Sequence, residues 1–272
     1  MYEKHYPGHK SVFKLNDIAI GEDFVIAAGP CAVESEQQLK AVINQIYPYV
    51  HVVRGGLFKA RTSPHAFSGV GSSGIDWLTE VSQKYDKPVV VEALDREQLA
   101  LLAPKIDIIQ IGARNMYNYP LLAAAAATER IILLKRHFAA TVDELLLAAE
   151  HILTQGNPNV ILCERGIRTF ETRTRNCLDL GAVAALKQLT HLPIFVDPSH
   201  AAGDASLVPP LCRAAVAAGA DGLLLEVHQA PAKALSDGPQ SLTPSQLKQI
   251  CVDVNAILSG VFCRDSRINV EF

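Results

Sequence analysis

The run NVILCERG, from Asn159 to Gly166, carries the pattern from which the fold follows. Four apolar residues, Val160 to Cys163, lead straight into the charged pair Glu164 and Arg165. A short, continuous apolar run suits a parallel strand covered on both faces. The same pattern occurs in FVIAAGP from Phe24, HVVRGGLF from His51, PVVVEAL from Pro88 and DIIQIGA from Asp107. It returns in RIILLKR from Arg130, PIFVDPSH from Pro193 and GLLLEVH from Gly222. The stretches between these runs are long enough for crossover helices. Eight such units predict a single-domain α/β protein, a closed (β/α)8 TIM barrel.

Helix starts support the alternation. Ser35 precedes EQQLKAVINQIYPYV and Asp95 precedes REQLALLA, each as an N-cap. Thr141 and Glu144 have capping-box spacing, and Thr243 stands before Pro244. The barrel is expected over residues 24–258. Residues 1–23 form an N-terminal extension, read as a short hairpin across the barrel bottom, and residues 259–272 read as an extended tail.

Composition bounds the rest. The chain has 272 residues, 49% hydrophobic and 19% charged, which suffices for a large core and excludes a disordered chain. A net charge of −3 offers no bulk attraction to nucleic acid or to an anionic membrane. The N-terminus MYEKHYPGHKSVFK lacks an apolar signal segment, and no apolar run approaches membrane-spanning length, so a cytoplasmic protein is expected. The six cysteines form no CxxC and read as reduced, packed thiols, with Cys31 as the exception.

Polar residues crowd the C-terminal ends of the runs, where barrel enzymes place their active sites. In order they are Cys31, Arg54 with Lys59, Glu92, Gln110 with Arg114, and Lys135 with Arg136. Glu164 with Arg165, Asp197 with His200, and Glu226 with His228 complete the rim. Arg54, Lys59, Arg61, Arg114, Lys135 and Arg165 form a cationic set that calls for anionic substrates. Cys31, His200 and Glu226, with Asp237 as a further candidate, form a mixed donor set for one divalent transition ion. Sulfur and nitrogen argue against magnesium and calcium, and manganese, iron, cobalt and zinc all stay open.

The motifs GPCAVES, FKARTSPHAFSG, QIGARNM, LLKR, CERGIRTFE, VDPSH, EVH and LSDGPQSL, in that order, resemble 3-deoxy-D-arabino-heptulosonate 7-phosphate (DAHP) synthases. The resemblance is to the short type I branch and extends from about Phe24 to Leu242. It implies condensation of phosphoenolpyruvate with erythrose 4-phosphate, with release of phosphate, as the first step of the shikimate route. By motif position, Cys31, His200, Glu226 and Asp237 hold the metal. Arg114, Lys135, Arg165 and Arg54 take phosphoenolpyruvate, and Arg61, Thr62 and Ser63 take the aldose phosphate. Lys59 protonates or stabilises the developing alkoxide, and the candidates for activating the attacking water are Glu92 and a metal-bound water near His200. The resemblance also implies a homodimer or homotetramer, and, with only residues 1–23 before the barrel, an enzyme insensitive to aromatic amino acids.

Two departures stand out. The family motif usually reads Lys-Pro-Arg-Thr, and Ala60 replaces the proline. Octulosonate 8-phosphate synthases carry Lys-Ala followed by Asn, and that Asn is absent, which favours erythrose 4-phosphate over arabinose 5-phosphate. Asp204 ends an AAGD segment where a basic residue is usual. The alternatives are the sister condensation with arabinose 5-phosphate or another aldose, and a non-catalytic binding barrel.

Overall fold

The computed structural model describes residues 1–3, 8–61 and 63–261. Two short strands, β1 (Phe13–Leu15) and β2 (Ile18–Ile20), form an antiparallel hairpin. Eight parallel strands follow: β3 (Val25–Gly29), β4 (Val52–Arg54), β5 (Val89–Ala93), β6 (Ile108–Ile111), β7 (Ile131–Lys135), β8 (Val160–Glu164), β9 (Ile194–Val196) and β10 (Gly222–Glu226). They close in sequence order, with β10 paired to both β9 and β3. Each strand lies inside one of the eight apolar runs, so the TIM barrel read from the sequence is the observed fold.

The outer layer is built by α1 (Glu36–Ile46), α2 (Gly74–Tyr85), α3 (Arg96–Leu102), α4 (Tyr119–Ala126), α5 (Val142–Leu153) and α6 (Leu180–Leu189). A short α7 (Pro198–Ala202) precedes α8 (Val208–Ala217), and α9 (Pro244–Val261) completes the ring. The caps act as their residue types dictate. Ser35 accepts from the Gln38 N–H, Asp95 from the Gln98 N–H, and Thr141 with Glu144 forms a complete capping box. The helix α9 runs through residue 261, so residues 259–261 are helical and not part of an extended tail as the sequence had suggested. Nothing breaks the helix at residue 259: Ser259 and Gly260 merely lower its propensity. The remainder of the expected tail, 262–272, lies outside the described residues.

Alternation along the strands separates two cores. Val25, Ala27, Val52, Val90, Ile108, Leu133, Ile161, Cys163, Phe195 and Leu224 fill the barrel interior. Their neighbours, such as Ile26, Val53, Val91, Ile109, Leu134, Leu162 and Leu225, pack outward in the larger core with the helices. Phe13, Leu15, Ile18 and Ile20 of the hairpin pack on the interior cluster. They cover the end of the barrel at which the strands begin.

Candidate active site and metal centre

The interior register continues past the apolar layers. Two residues beyond Val52, Val90, Ile108, Leu133, Cys163, Phe195 and Leu224 stand Arg54, Glu92, Gln110, Lys135, Arg165, Asp197 and Glu226. A period of two therefore turns all seven inward, a polar layer over the apolar one within each strand, which the register staggers by pairing Arg54 with Val90 and Lys135 with Cys163. Arg136 and Glu164 have the opposite parity. They turn outward into a buried ion pair, Arg136 Nη1 to Glu164 Oε2 at 2.8 Å, shared with Asp179 at 3.0 Å. The sequence reading counted these two among the rim groups facing the site; the pleat directs them into the scaffold.

Above the polar layer lies a cavity of about 400 Å³ lined by Lys59, Arg61, Glu92, Arg114, Lys135, Arg165, His200 and Asp237, among others. Arg54 does not line it. It is buried beneath, donating from Nη1 to Glu226 Oε1 at 3.1 Å, because the register pairs it with Val90 of β5, two residues short of the cavity-lining Glu92. Ser63 is exposed, accepts the His65 N–H and does not line the cavity, and Thr62 lies outside the described residues. Arg61 donates to the Phe67 carbonyl through Nε, while its buried Nη2 has no hydrogen-bond partner among the described residues. Arg114 reaches across to the Ala60 carbonyl at 3.1 Å, linking the two loops.

At the foot of the cavity, donor atoms of Cys31, His200, Glu226 and Asp237 all lie within 4.8 Å of one another. Cys31 Sγ donates to Asp237 Oδ2 at 3.0 Å, and His200 Nε2 lies 3.3 Å from Glu226 Oε1. The other imidazole nitrogen, Nδ1, is 2.7 Å from Asp197 Oδ2, and Asp197 also caps α7 through the His200 N–H. Lys135 donates to the same Asp197 oxygen. An imidazole anchored by a carboxylate at one nitrogen presents the other to a metal. One sulfur, one nitrogen and two carboxylates, gathered at the C-terminal ends of β3, β9 and β10, fit a divalent transition ion.

Of the four donors, the electrostatics leave only Cys31 with a proton to lose. Burial, reinforced by Glu226, pushes the Cys31 thiol up to about 12 against the pull of Lys59 and Arg54. Burial also lowers the His200 pKa, outweighing Asp197 and Glu226, so the ring is neutral as ligation requires. The Asp237 carboxyl is half-buried, which raises its pKa, yet its hydrogen bond from Cys31 and the nearby His200 hold it below the usual carboxylate range. Burial disfavours the Lys59 ammonium, but Cys31, Glu92 and Glu226 outweigh it and keep Lys59 protonated.

The chain matches the model of the DAHP synthetase I family over residues 8–258. It is 46% identical to the phospho-2-dehydro-3-deoxyheptonate aldolase of Thermotoga maritima, over 96% of this chain and 78% of that protein. The chain belongs to the DAHP synthetase I family. A crystal structure of the Thermotoga enzyme superposes with a TM-score of 0.92 at 44% identity, covering 96% of this chain and 77% of that one. A 2-dehydro-3-deoxyphosphooctonate aldolase of Desulfosudis oleivorans is more distant, at 34% identity over 89% of this chain and 94% of that protein.

Within this DAHP synthetase I barrel, the structure adds cavity residues to which sequence reasoning assigned no role. Phe138, Arg168, Arg175 and Asn176 line the wall. They belong to loops, where no strand register announces which way a side chain points. Arg168 was visible within CERGIRTFE, but its stacking over Phe138, 4.4 Å from the ring centre, is a tertiary contact.

Proposed function

We propose that this chain condenses phosphoenolpyruvate with erythrose 4-phosphate to DAHP and inorganic phosphate, using one divalent metal ion held by Cys31, His200, Glu226 and Asp237. The observation that carries the reading is the convergence of those four donors beneath a cation-lined cavity. The metal supplies Lewis acidity toward the aldehyde oxygen when bound.

The chain's own residues do the rest. Arg114, Lys135 and Arg165 hold the phosphate and carboxylate of phosphoenolpyruvate, and Arg61 holds the aldose phosphate. Fixing two anions within bonding range removes several kcal/mol of the barrier, about 7–11 at the upper end of what orientation supplies. As C3 of the enol phosphate attacks the aldehyde, Lys59 Nζ gives a proton to the developing alkoxide. C2 becomes cationic, water adds there, and phosphate leaves the tetrahedral adduct. Glu92 is the group we assign to the water. Its Oε2 accepts from Gln110 Nε2 at 2.9 Å, while both His200 nitrogens are already engaged.

The test strips the protein of metal, restores manganese and measures phosphate release from phosphoenolpyruvate. Erythrose 4-phosphate and arabinose 5-phosphate are offered side by side. Turnover with the four-carbon aldose that disappears on chelation is the expected result. Turnover with the five-carbon sugar alone would move the specificity and direct attention to Ala60. Silence with both would overturn the reading.

A further inference from the structure

Each metal-site carboxylate turns one oxygen toward the donor cluster. Glu226 Oε1 faces His200 and Arg54, and Asp237 Oδ2 faces Cys31 and Ser236. The opposite oxygens are tied together by a pair of residues outside the donor set. Gln240, buried, donates from Nε2 to Glu226 Oε2 at 2.5 Å. Its Oε1 accepts from Arg175 Nη1 at 3.0 Å, and the same Nη1 donates to Asp237 Oδ1 at 2.9 Å. The amide orientation follows from chemistry: a guanidinium only donates and an ionised carboxylate only accepts, so Gln240 has one way to serve both. We infer that the Arg175–Gln240 bridge is a positioning device for the metal, locking Glu226 and Asp237 as one-oxygen ligands. This inference rests on the metal reading above.

Arg175 is well placed for the task although its side chain is 41% exposed. It sits near the end of the loop that leaves β8, where Ile167 and Cys177 exchange backbone hydrogen bonds and pinch the loop shut. Its backbone N–H donates to the Ala202 carbonyl at 3.0 Å, and the next residue, Asn176, donates to the Ala201 carbonyl at 2.8 Å. Asn176 Nδ2 also donates to the His200 carbonyl at 3.3 Å. Arg175 is thus docked on the same short helix, α7, that presents the His200 imidazole. One loop reads the positions of three ligands. Without the bridge, each carboxylate could rotate about its last torsion and lose its aim at the ion, and Glu226 Oε2 would stay buried without a donor.

Cobalt(II) titration of the metal-stripped full chain tests this, read by the near-ultraviolet thiolate-to-cobalt band that Cys31 ligation creates. Arg175→Met and Gln240→Met should each weaken cobalt binding about 10–100-fold while keeping the band at saturation. The double variant should fall short of the product of the two losses, because both break one bridge. Arg173→Met, on the same loop but away from the carboxylates, should bind as the unmodified chain does. Arg175 is partly exposed, so its variant folds even where Gln240→Met does not, and unchanged cobalt affinity in Arg175→Met would overturn the inference alone. An unmodified chain that shows no thiolate band would instead overturn the metal reading, and this inference with it.

Discussion

Lys59 and Cys31 are joined twice: Lys59 Nζ lies 3.0 Å from the Cys31 thiol sulfur and 3.0 Å from the Cys31 carbonyl oxygen. The pairing holds the Lys59 ammonium against the four-donor cluster. Gly56 allows it, since a side chain there would fall 2.2 Å from that carbonyl. Lys59→Met should lower kcat about 10²–10⁴-fold, the usual worth of a positioned acid, with little change in KM for phosphoenolpyruvate. Steady-state kinetics decide it, and a KM effect alone would assign Lys59 to binding.

Metal bound only by the folded chain must raise its stability. At a hundredfold excess over Kd the gain is about 2.7 kcal/mol, on the order of 5–10 °C in melting temperature for a chain of this size. Melting with and without a chelator should show that shift, and Cys31→Ala should abolish most of it. A chelator-insensitive melt would remove the ion from the site.

Gly112 and Glu92 are in contact by necessity, because a Cβ on Gly112 would lie 2.0 Å from Glu92 Oε1. Gly112→Ala must displace that carboxylate. If Glu92 activates water, Gly112→Ala and Glu92→Gln should both depress kcat, by at least about 10²-fold for the latter. Full activity in Glu92→Gln would return the role to another group.

Arg136 and Arg165 each follow a strand-end residue of the opposite role, and their loss should be read out differently. Arg136→Met leaves Glu164 buried without its cation and should cost about 3–5 kcal/mol of stability in urea unfolding. Arg165→Met should leave unfolding nearly unchanged and raise KM for phosphoenolpyruvate about 10–100-fold, as loss of a charge-assisted contact of 1.5–3 kcal/mol implies.

His51 accepts the Ile26 N–H through Nδ1 at 3.0 Å, which requires the neutral ring. Burial, and next the charge of Lys87, lower its pKa from 6.5. The unfolded chain therefore binds the proton more readily. Its contribution to stability is present above about pH 6.5 and lost as pH falls through 6.5 toward the folded value. Urea midpoints at pH 5 and 7.5 should differ less in His51→Gln than in the parent chain.

The eight strands were legible because a buried parallel strand must be apolar on both faces and end abruptly in polar groups, as NVILCERG does. The interior polar layer was legible too, in retrospect, by stepping two residues past Val52, Val90 or Leu133. That same step separates Lys135 from Arg136 and Arg165 from Glu164, a distinction the strand ends alone did not make. The helix caps at Ser35 and Thr141 were local events and followed from residue type.

By itself, the sequence determined the barrel, its closed hydrophobic layers and the residue types gathered at one rim, since those depend on periodicities within a single strand or helix. Only the tertiary structure decided that Arg54 lies under Glu226, that Ser63 stands clear of the cavity, and that Arg175 and Gln240 span two carboxylates. Those contacts join residues that loops bring together across 172 and 62 positions of chain, for Arg54 with Glu226 and Arg175 with Asp237. Loop side chains have no period, and their directions are set by the partners they meet.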